Sequence, residues 1–119
     1  KNNYPIKWIF VDEAQFLTEK QVEELSYIVD DCNVNVMCYG LRTDFQTRLF
    51  PGSKRLLELA DTIEEIKSTC SCGGKAIVNA RVDKDGNIVT EGSQVEVGAE
   101  DKYITLCRQC YNFRTIKKD

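Results

Sequence analysis

Two pairs of cysteines, Cys70-Ser71-Cys72 and Cys107-Arg108-Gln109-Cys110, constrain this chain more than any other feature of its sequence. Between them lie Ala76 to Val82 and Ile88 to Thr90, flanking Asp83-Lys84-Asp85-Gly86-Asn87, a hairpin signal with Asp-Gly in its turn. Two knuckles separated by a hairpin are the arrangement of a zinc ribbon. Each knuckle turns sharply enough to aim two thiolates at one point, and four thiolates complete a tetrahedron around Zn²⁺. Cys70, Cys72, Cys107 and Cys110 are therefore the candidate metal ligands, and a closed set of four sulfurs leaves no position for water, so the zinc is expected to be structural. The first pair is one residue tighter than the commoner Cys-x-x-Cys spacing, but Gly73 and Gly74 let the backbone fold beneath a metal. Reduced cysteines that merely pack, and disulfides, are the alternatives. Cys32 and Cys38 lie singly among apolar neighbours.

The remaining composition narrows the chemistry. The chain has 119 residues, 42% of them hydrophobic and 29% charged, as in a folded soluble protein with room for one domain or a domain and an appendage. A net charge of −3 argues against a nucleic-acid backbone as the main partner. There is no histidine, which excludes an imidazole base, a Cys-His pair and histidine metal ligation and leaves acid-base work to carboxylates. No apolar run approaches the roughly 20 residues of a membrane span. With no signal segment visible and the cysteines read as metal ligands, the expected setting is cytoplasmic. The start at Lys1, almost directly on a strand-like run, reads as a chain cut from something longer.

Ahead of the cysteines the pattern is α/β. Ile6 to Val11 is a short, nearly continuous apolar stretch, expected to be a parallel strand covered on both faces. Thr18 with Gln21 three residues later forms a capping-box signature, followed by Val22, Leu25, Ile28 and Val29 at helical spacing, which predicts a helix from about Glu19 to Asp31. Val34, Val36, Cys38 and Leu41 then predict a second buried strand, completing a crossover unit. Gly40 to Gly52 is irregular yet rich in aromatic and charged residues, the kind of loop that carries function. Ser53 is placed to cap a short helix bearing Leu56, Leu57 and Leu59, and Thr62 to Lys67 reads as a further strand. Glu91 to Asp101 reads as a long loop, and Lys117 to Asp119 as a dispensable tail.

Ile9-Phe10-Val11-Asp12-Glu13 has the form of a Walker B strand, in which an apolar run delivers two carboxylates to the carboxyl end of the sheet, where ligands of α/β folds bind. In phosphoryl transfer the first acid holds Mg²⁺ and the second accepts a proton from the nucleophile. Strands ending in Asp-Glu are common, and solvated charges in a loop are the ordinary alternative. The chain also contains no G-x-x-x-x-G-K-[ST] segment, since its only Gly-Lys, Gly74-Lys75, belongs to a cysteine knuckle.

Five separated blocks now agree in order and spacing. Asp12-Glu13-Ala14-Gln15-Phe16, Gly40-Leu41-Arg42-Thr43-Asp44-Phe45, Phe50-Pro51, the Cys70/Cys72 knuckle with Lys75-Ala76, and Val95-Glu96-Val97-Gly98 running into Lys102-Tyr103 and Cys107-Arg108-Gln109-Cys110-Tyr111 resemble the type II thymidine kinases. The resemblance covers Ile6 to about Phe113 and implies a partial P-loop-type parallel sheet, residues 1–67, followed by a small zinc-ribbon lasso domain, residues 68–119. By that resemblance the missing amino-terminal portion would carry the P-loop. Asp12 would be the Mg²⁺ ligand that goes with ATP, and Glu13 the general base for the 5′-hydroxyl of thymidine. Phe16, Leu41, Phe45 and Phe50 would enclose the sugar and base, each having an ordinary core residue as its alternative. Val95, Glu96 and Val97 would hold the base through their main chain, and Tyr103 would lie near the substrate. Arg42 would stand close to the phosphates, where a plain surface cation is an equal reading.

The implied activity is ATP-dependent phosphorylation of thymidine to its monophosphate, with feedback by thymidine triphosphate and a homotetrameric assembly, and without membrane or nucleic-acid partners. The chain as it stands is expected to be inactive alone. The competing expectation is a zinc-bearing P-loop ATPase fragment acting on nucleic acid, and a third is a zinc-ribbon interaction module without catalysis.

Overall fold

The computed structural model describes residues 5–94 and 102–116, the last helix with its side chains through Arg114. Val95, Glu96 and Val97 lie outside the described residues, as do the remainder of the loop to Asp101 and the Lys117 to Asp119 tail. Two compact units are formed. One comprises residues up to Arg42 with Leu49–Ile63, and the other Thr43–Arg48 with residues from Glu64 onward. The fold is mixed α/β.

In the first unit, β1 (Trp8–Val11) and β2 (Asn35–Cys38) pair in parallel, Trp8 opposite Asn35 and Val11 opposite Cys38, with α1 (Glu19–Cys32) between them in sequence. The expected capping box is present. Thr18 Oγ1 accepts from the Gln21 amide at 3.1 Å, and Gln21 Oε1 accepts from the Thr18 amide at 2.9 Å. Asn33, left-handed at φ 57°, ends the helix as a residue tolerant of that conformation. Val22 is buried on the apolar stripe, with Leu25, Ile28 and Val29 half-buried beside it. The core of this unit is completed by Ala14, Val34 and Phe50.

Three expectations fail here for physical reasons. β1 is not covered on both faces: Trp8 and Phe10 stand on its open side, 50% and 62% exposed, stacked on one another at 5.7 Å because a two-stranded sheet has one apolar face to spare. The short helix α2 spans Pro51–Leu59 and starts on Pro51 rather than on a Ser53 cap. Proline has no amide to lose at the first helical position, so the helix begins three residues earlier and the Ser53 hydroxyl bonds the Leu41 carbonyl instead. Thr62 to Lys67 is not a strand: Ile63 and Ile66 lie on the surface, 60% and 82% exposed, and no partner strand pairs with them among the described residues.

The second unit holds β3 (Ser68–Thr69) paired antiparallel with β4 (Lys75–Ala76), and a three-stranded antiparallel sheet ordered β6 (Ile88–Val89), β5 (Val78–Val82), β7 (Lys102–Leu106). The hairpin expected from Asp-Gly joins β5 to β6, with Val82 opposite Ile88. Strand alternation sends Val78, Ala80, Val82, Ile88 and Leu106 into one core with Cys70. α3 (Arg108–Ile116) follows at once and had no counterpart in the sequence reading.

Candidate active-site acids and metal centre

Asp12 and Glu13 follow β1 directly, and the backbone there departs from a regular ladder. The Tyr39 amide donates to the Val11 carbonyl at 2.8 Å, and the Tyr39 carbonyl accepts from the Ala14 amide at 2.8 Å. A regular parallel ladder would use residue 13 for the second bond, so Asp12 and Glu13 together oppose Tyr39 and bulge outward. The displaced Glu13 amide is taken up by Asp12 Oδ1 at 2.9 Å. Glu13 sits in the left-handed region at φ 53°, ψ 42°, a conformation that costs a non-glycine residue about 1 kcal/mol or more and concentrates at functional sites. The geometry thus holds two carboxylates at the carboxyl end of the sheet on a re-aimed, strained segment.

Gln15, which the sequence reading treated only as part of a motif, fixes one of them. It is buried, donates from Nε2 to Glu13 Oε1 at 2.9 Å, and accepts at Oε1 from the Leu41 amide at 3.1 Å. One Glu13 oxygen is therefore engaged and oriented. Nearby in this unit, Phe16 and Phe50 meet edge to face at 5.7 Å, Phe50 buried and Phe16 52% exposed, and Leu41 is partly exposed at the surface. Phe16, Leu41 and the two acids so belong to the same unit and present surface to solvent.

Phe45 and Tyr103 belong to the other unit. The loop carrying Phe45 is closed by Asp44, whose Oδ1 accepts from the amides of Gln46 (2.8 Å) and Arg48 (3.0 Å), and whose Oδ2 accepts from Gln94 Nε2 at 2.8 Å. Gln46 donates to the Thr90 carbonyl at 2.7 Å, and the Tyr111 hydroxyl donates to the Phe45 carbonyl at 3.1 Å. Burial and the nearby Asp44 carboxylate raise the Tyr111 phenol above its ordinary pKa. Phe45 is 1% exposed, its ring covered by the Arg81 guanidinium at 3.8 Å from the centroid. Sequence reasoning missed Arg81. Its signal was a charge alternating with Ala80 and Val82 on a strand, which reads as solvent-facing and is in fact 3% exposed.

The four predicted metal ligands come together. Cys70, Cys72, Cys107 and Cys110 have sulfurs all within 4.8 Å of one another, and Cys72 and Cys107 lie 3.7 Å apart. Zinc–sulfur bonds of about 2.3 Å in a tetrahedron require sulfur–sulfur separations of about 3.8 Å, so the cluster has the right size. The first knuckle is a tight turn: the Cys70 amide donates to the Gly74 carbonyl at 2.7 Å and the Gly73 amide to the Cys70 carbonyl at 2.9 Å, with Gly73 at φ 94°, where a side chain would be strained. The second knuckle is made where β7 runs into α3, which turns Cys110 back toward Cys107. Backbone amides also support sulfur charge, Gly74 N–H on Cys72 Sγ at 3.4 Å and Cys110 N–H on Cys107 Sγ at 3.3 Å.

Proton affinities within the cluster point the same way. The amides of Cys72 and Cys107 pull the Cys70 thiol down to about 6, whereas hydrogen bonding with the Cys72, Cys107 and Cys70 sulfurs pushes Cys110 up to about 12. Four sulfurs this close ionise together only around a cation, and a divalent ion resolves that conflict. The residues present therefore fit a tetrahedral metal. Cys38, by contrast, is a lone thiol raised by burial.

Comparison with known proteins decides the family. The thymidine kinase family model matches residues 1–111. The chain belongs to the thymidine kinase family. The thymidine kinase of Zymomonas mobilis is 53% identical over 105 residues, 88% of this chain and 54% of that protein. That of Enterobacteria phage T4 is 54% identical over 112 residues, 94% of this chain and 58% of the relative, and that of Pasteurella multocida is 50% identical over 107 residues, 90% and 56% respectively. The chain thus spans a little over half the length of these curated thymidine kinase relatives. No helix among the described residues is long and apolar enough to cross a membrane.

Proposed function

We propose that this chain supplies the acid-bearing and metal-bearing part of an enzyme that transfers the γ-phosphoryl group of ATP to the 5′-hydroxyl of thymidine. The observation that carries the reading is the bulged acidic pair, with Glu13 held left-handed and oriented by Gln15, in a chain of the thymidine kinase family. Glu13 Oε1 is engaged by Gln15, which leaves the other carboxylate oxygen to accept the proton of the 5′-hydroxyl as the oxygen attacks phosphorus. Asp12 would hold Mg²⁺, which when bound neutralises charge on the β and γ phosphates.

The reading assigns sugar and base contacts to Phe16, Leu41 and Phe50; Phe45, expected to enclose the nucleoside directly, is 1% exposed beneath the Arg81 guanidinium and can act only from behind it. Val95, Glu96 and Val97 would meet the base through main-chain groups, which satisfy the donor and two acceptors of a pyrimidine edge and penalise a mismatched amino group. Cys70, Cys72, Cys107 and Cys110 would hold a structural Zn²⁺ in a zinc-ribbon lasso, residues 68–119, attached to a P-loop-type sheet, residues 1–67. The metal would staple both ends of the segment that contacts the base. Phosphate-cradling amides are not encoded here, so the 119 residues are expected to be inactive alone. A cytoplasmic homotetramer restrained by thymidine triphosphate completes the proposal.

The test is phosphoryl transfer from labelled ATP by the intact protein. Thymidine monophosphate should form in a thymidine-dependent manner. Phosphate release that depends on nucleic acid and ignores thymidine would replace this reading with that of a nucleic-acid-stimulated ATPase.

A further inference from the structure

Among the described residues Arg81 is the one buried arginine, and no carboxylate pairs with it. Burying a guanidinium without a counter-charge is costly, so its neighbours have to account for it. Strand alternation places Arg81 on the face of β5 opposite the apolar core, directly across from Tyr103 of β7 in the antiparallel register. There its plane lies over the Phe45 ring at 3.8 Å, and its edge is spent on two oxygens. Nε and one terminal nitrogen donate to the Tyr103 hydroxyl at 3.3 and 3.1 Å, and the same terminal nitrogen donates to the Ser93 carbonyl at 3.1 Å.

The consequence lies in what is left to Tyr103. A phenol oxygen offers one proton and a limited acceptor capacity, and two guanidinium N–H groups directed at it take up the acceptor side. Tyr103 is 48% exposed and its hydroxyl donates to no acceptor among the described residues, which leaves that proton for a ligand. We infer that Arg81 is a positioning residue for nucleoside recognition: it commits the Tyr103 hydroxyl to donating, so that this group selects an acceptor oxygen of the nucleoside, and it ties that choice to the Ser93 carbonyl at the start of the base-binding segment. A fixed guanidinium fork does both, whereas a lysine presents a single nitrogen.

This inference rests on the reading of Tyr103 as facing thymidine, and the experiment separates the two. Thymidine dissociation constants are measured by calorimetry on the zinc-loaded intact protein and on the Arg81→Gln, Tyr103→Phe and doubly substituted forms, with zinc content and thermal midpoint recorded for each. Tyr103→Phe and Arg81→Gln should each weaken binding by about 5- to 10-fold, as loss of one oriented hydrogen bond does, and the double form should be no weaker than about 10-fold. Arg81→Lys, which keeps the charge over Phe45 and serves if Arg81→Gln fails to fold, should also weaken binding while zinc content stays unchanged. Multiplying effects in the double form, or parental affinity in Arg81→Gln or Arg81→Lys beside a weakened Tyr103→Phe, would overturn the inference and leave the kinase reading standing. Parental affinity in Tyr103→Phe, or no thymidine binding by any form, would overturn the placement of Tyr103 and the inference with it.

Discussion

Replacing Gly40 by alanine is expected to damage the acidic site from behind, and a second glycine supplies the control. A Cβ at Gly40 would lie 2.6 Å from Gln15 Oε1, 2.9 Å from the Gln15 amide nitrogen and 3.1 Å from that of Ala14. Two of these three atoms are backbone, and the third belongs to a side chain that is itself buried and bonded at both ends. The segment after the bulge must therefore move. Overpacking of this kind costs about 1–3 kcal/mol, less the roughly 0.4–1 kcal/mol that a glycine-to-alanine change recovers from the unfolded chain, which leaves a net loss of about 0–2.6 kcal/mol, near 1 kcal/mol at mid-range. At Gly74 the atoms nearest a Cβ would be Cys72 Sγ at 3.4 Å and Cys107 Cβ and Sγ at 3.6 and 3.7 Å, ordinary contacts. Gly74→Ala should accordingly be neutral or slightly stabilising. Urea denaturation of both variants beside the parent gives the two differences directly. Since Gln15 orients Glu13, Gly40→Ala should also lower turnover by more than its stability loss explains at saturating substrate. Equal stabilities for the two variants would refute the close packing of Gly40 on Gln15 and the route from that contact to Glu13.

Other expectations follow from the same geometry. Glu13→Gln should keep thymidine affinity within a few fold while lowering turnover by about 10² or more, measured by steady-state kinetics, because it removes a proton acceptor and little else. Cys72→Ser should lose the metal and unfold the cysteine-bearing unit, seen as sub-stoichiometric zinc by atomic emission and a collapsed near-ultraviolet signal, while α1 retains its helicity. Tyr111→Phe should cost about 0.5–1.5 kcal/mol through the lost bond to the Phe45 carbonyl. The Tyr111 phenol is raised in the folded state, so its contribution is complete below the ordinary value of about 10 and falls away as pH rises through the folded value. The alkaline decline in stability should be shallower in Tyr111→Phe.

Much of this was legible because the signals are local. The capping box needs only Thr18 and Gln21, the hairpin only Asp85-Gly86 between two apolar runs, and the metal cluster only the two knuckles, which the pairing of β5 with β7 brings together. What was illegible depends on tertiary partners. Arg81 reads as a surface charge until Phe45, Ser93 and Tyr103 surround it. Ser53 reads as a cap from its residue type, but Pro51 at the first helical position is the stronger start signal. Thr62 to Lys67 reads as a strand from its β-branched Thr62, Ile63 and Ile66, which carry no information about whether a neighbouring strand exists to pair with. α3 escaped because Cys107, rather than a Ser, Thr, Asp or Asn, stands before its first residue Arg108. The bulge at Asp12-Glu13 is invisible in sequence for a different reason. It is set by which backbone amide reaches the Tyr39 carbonyl, with the Asp12 carboxylate taking up the Glu13 amide that this displaces.

The most direct measurement is thymidine binding to the protein before and after its metal is stripped by a chelator, with zinc counted in the same samples. One zinc per chain, strong binding when loaded, and binding lost on stripping and regained on adding zinc back are the expected results. Undiminished thymidine affinity in metal-free protein, or a loaded protein containing no zinc, would contradict the claim that four cysteines hold in place the segment that grips the nucleoside.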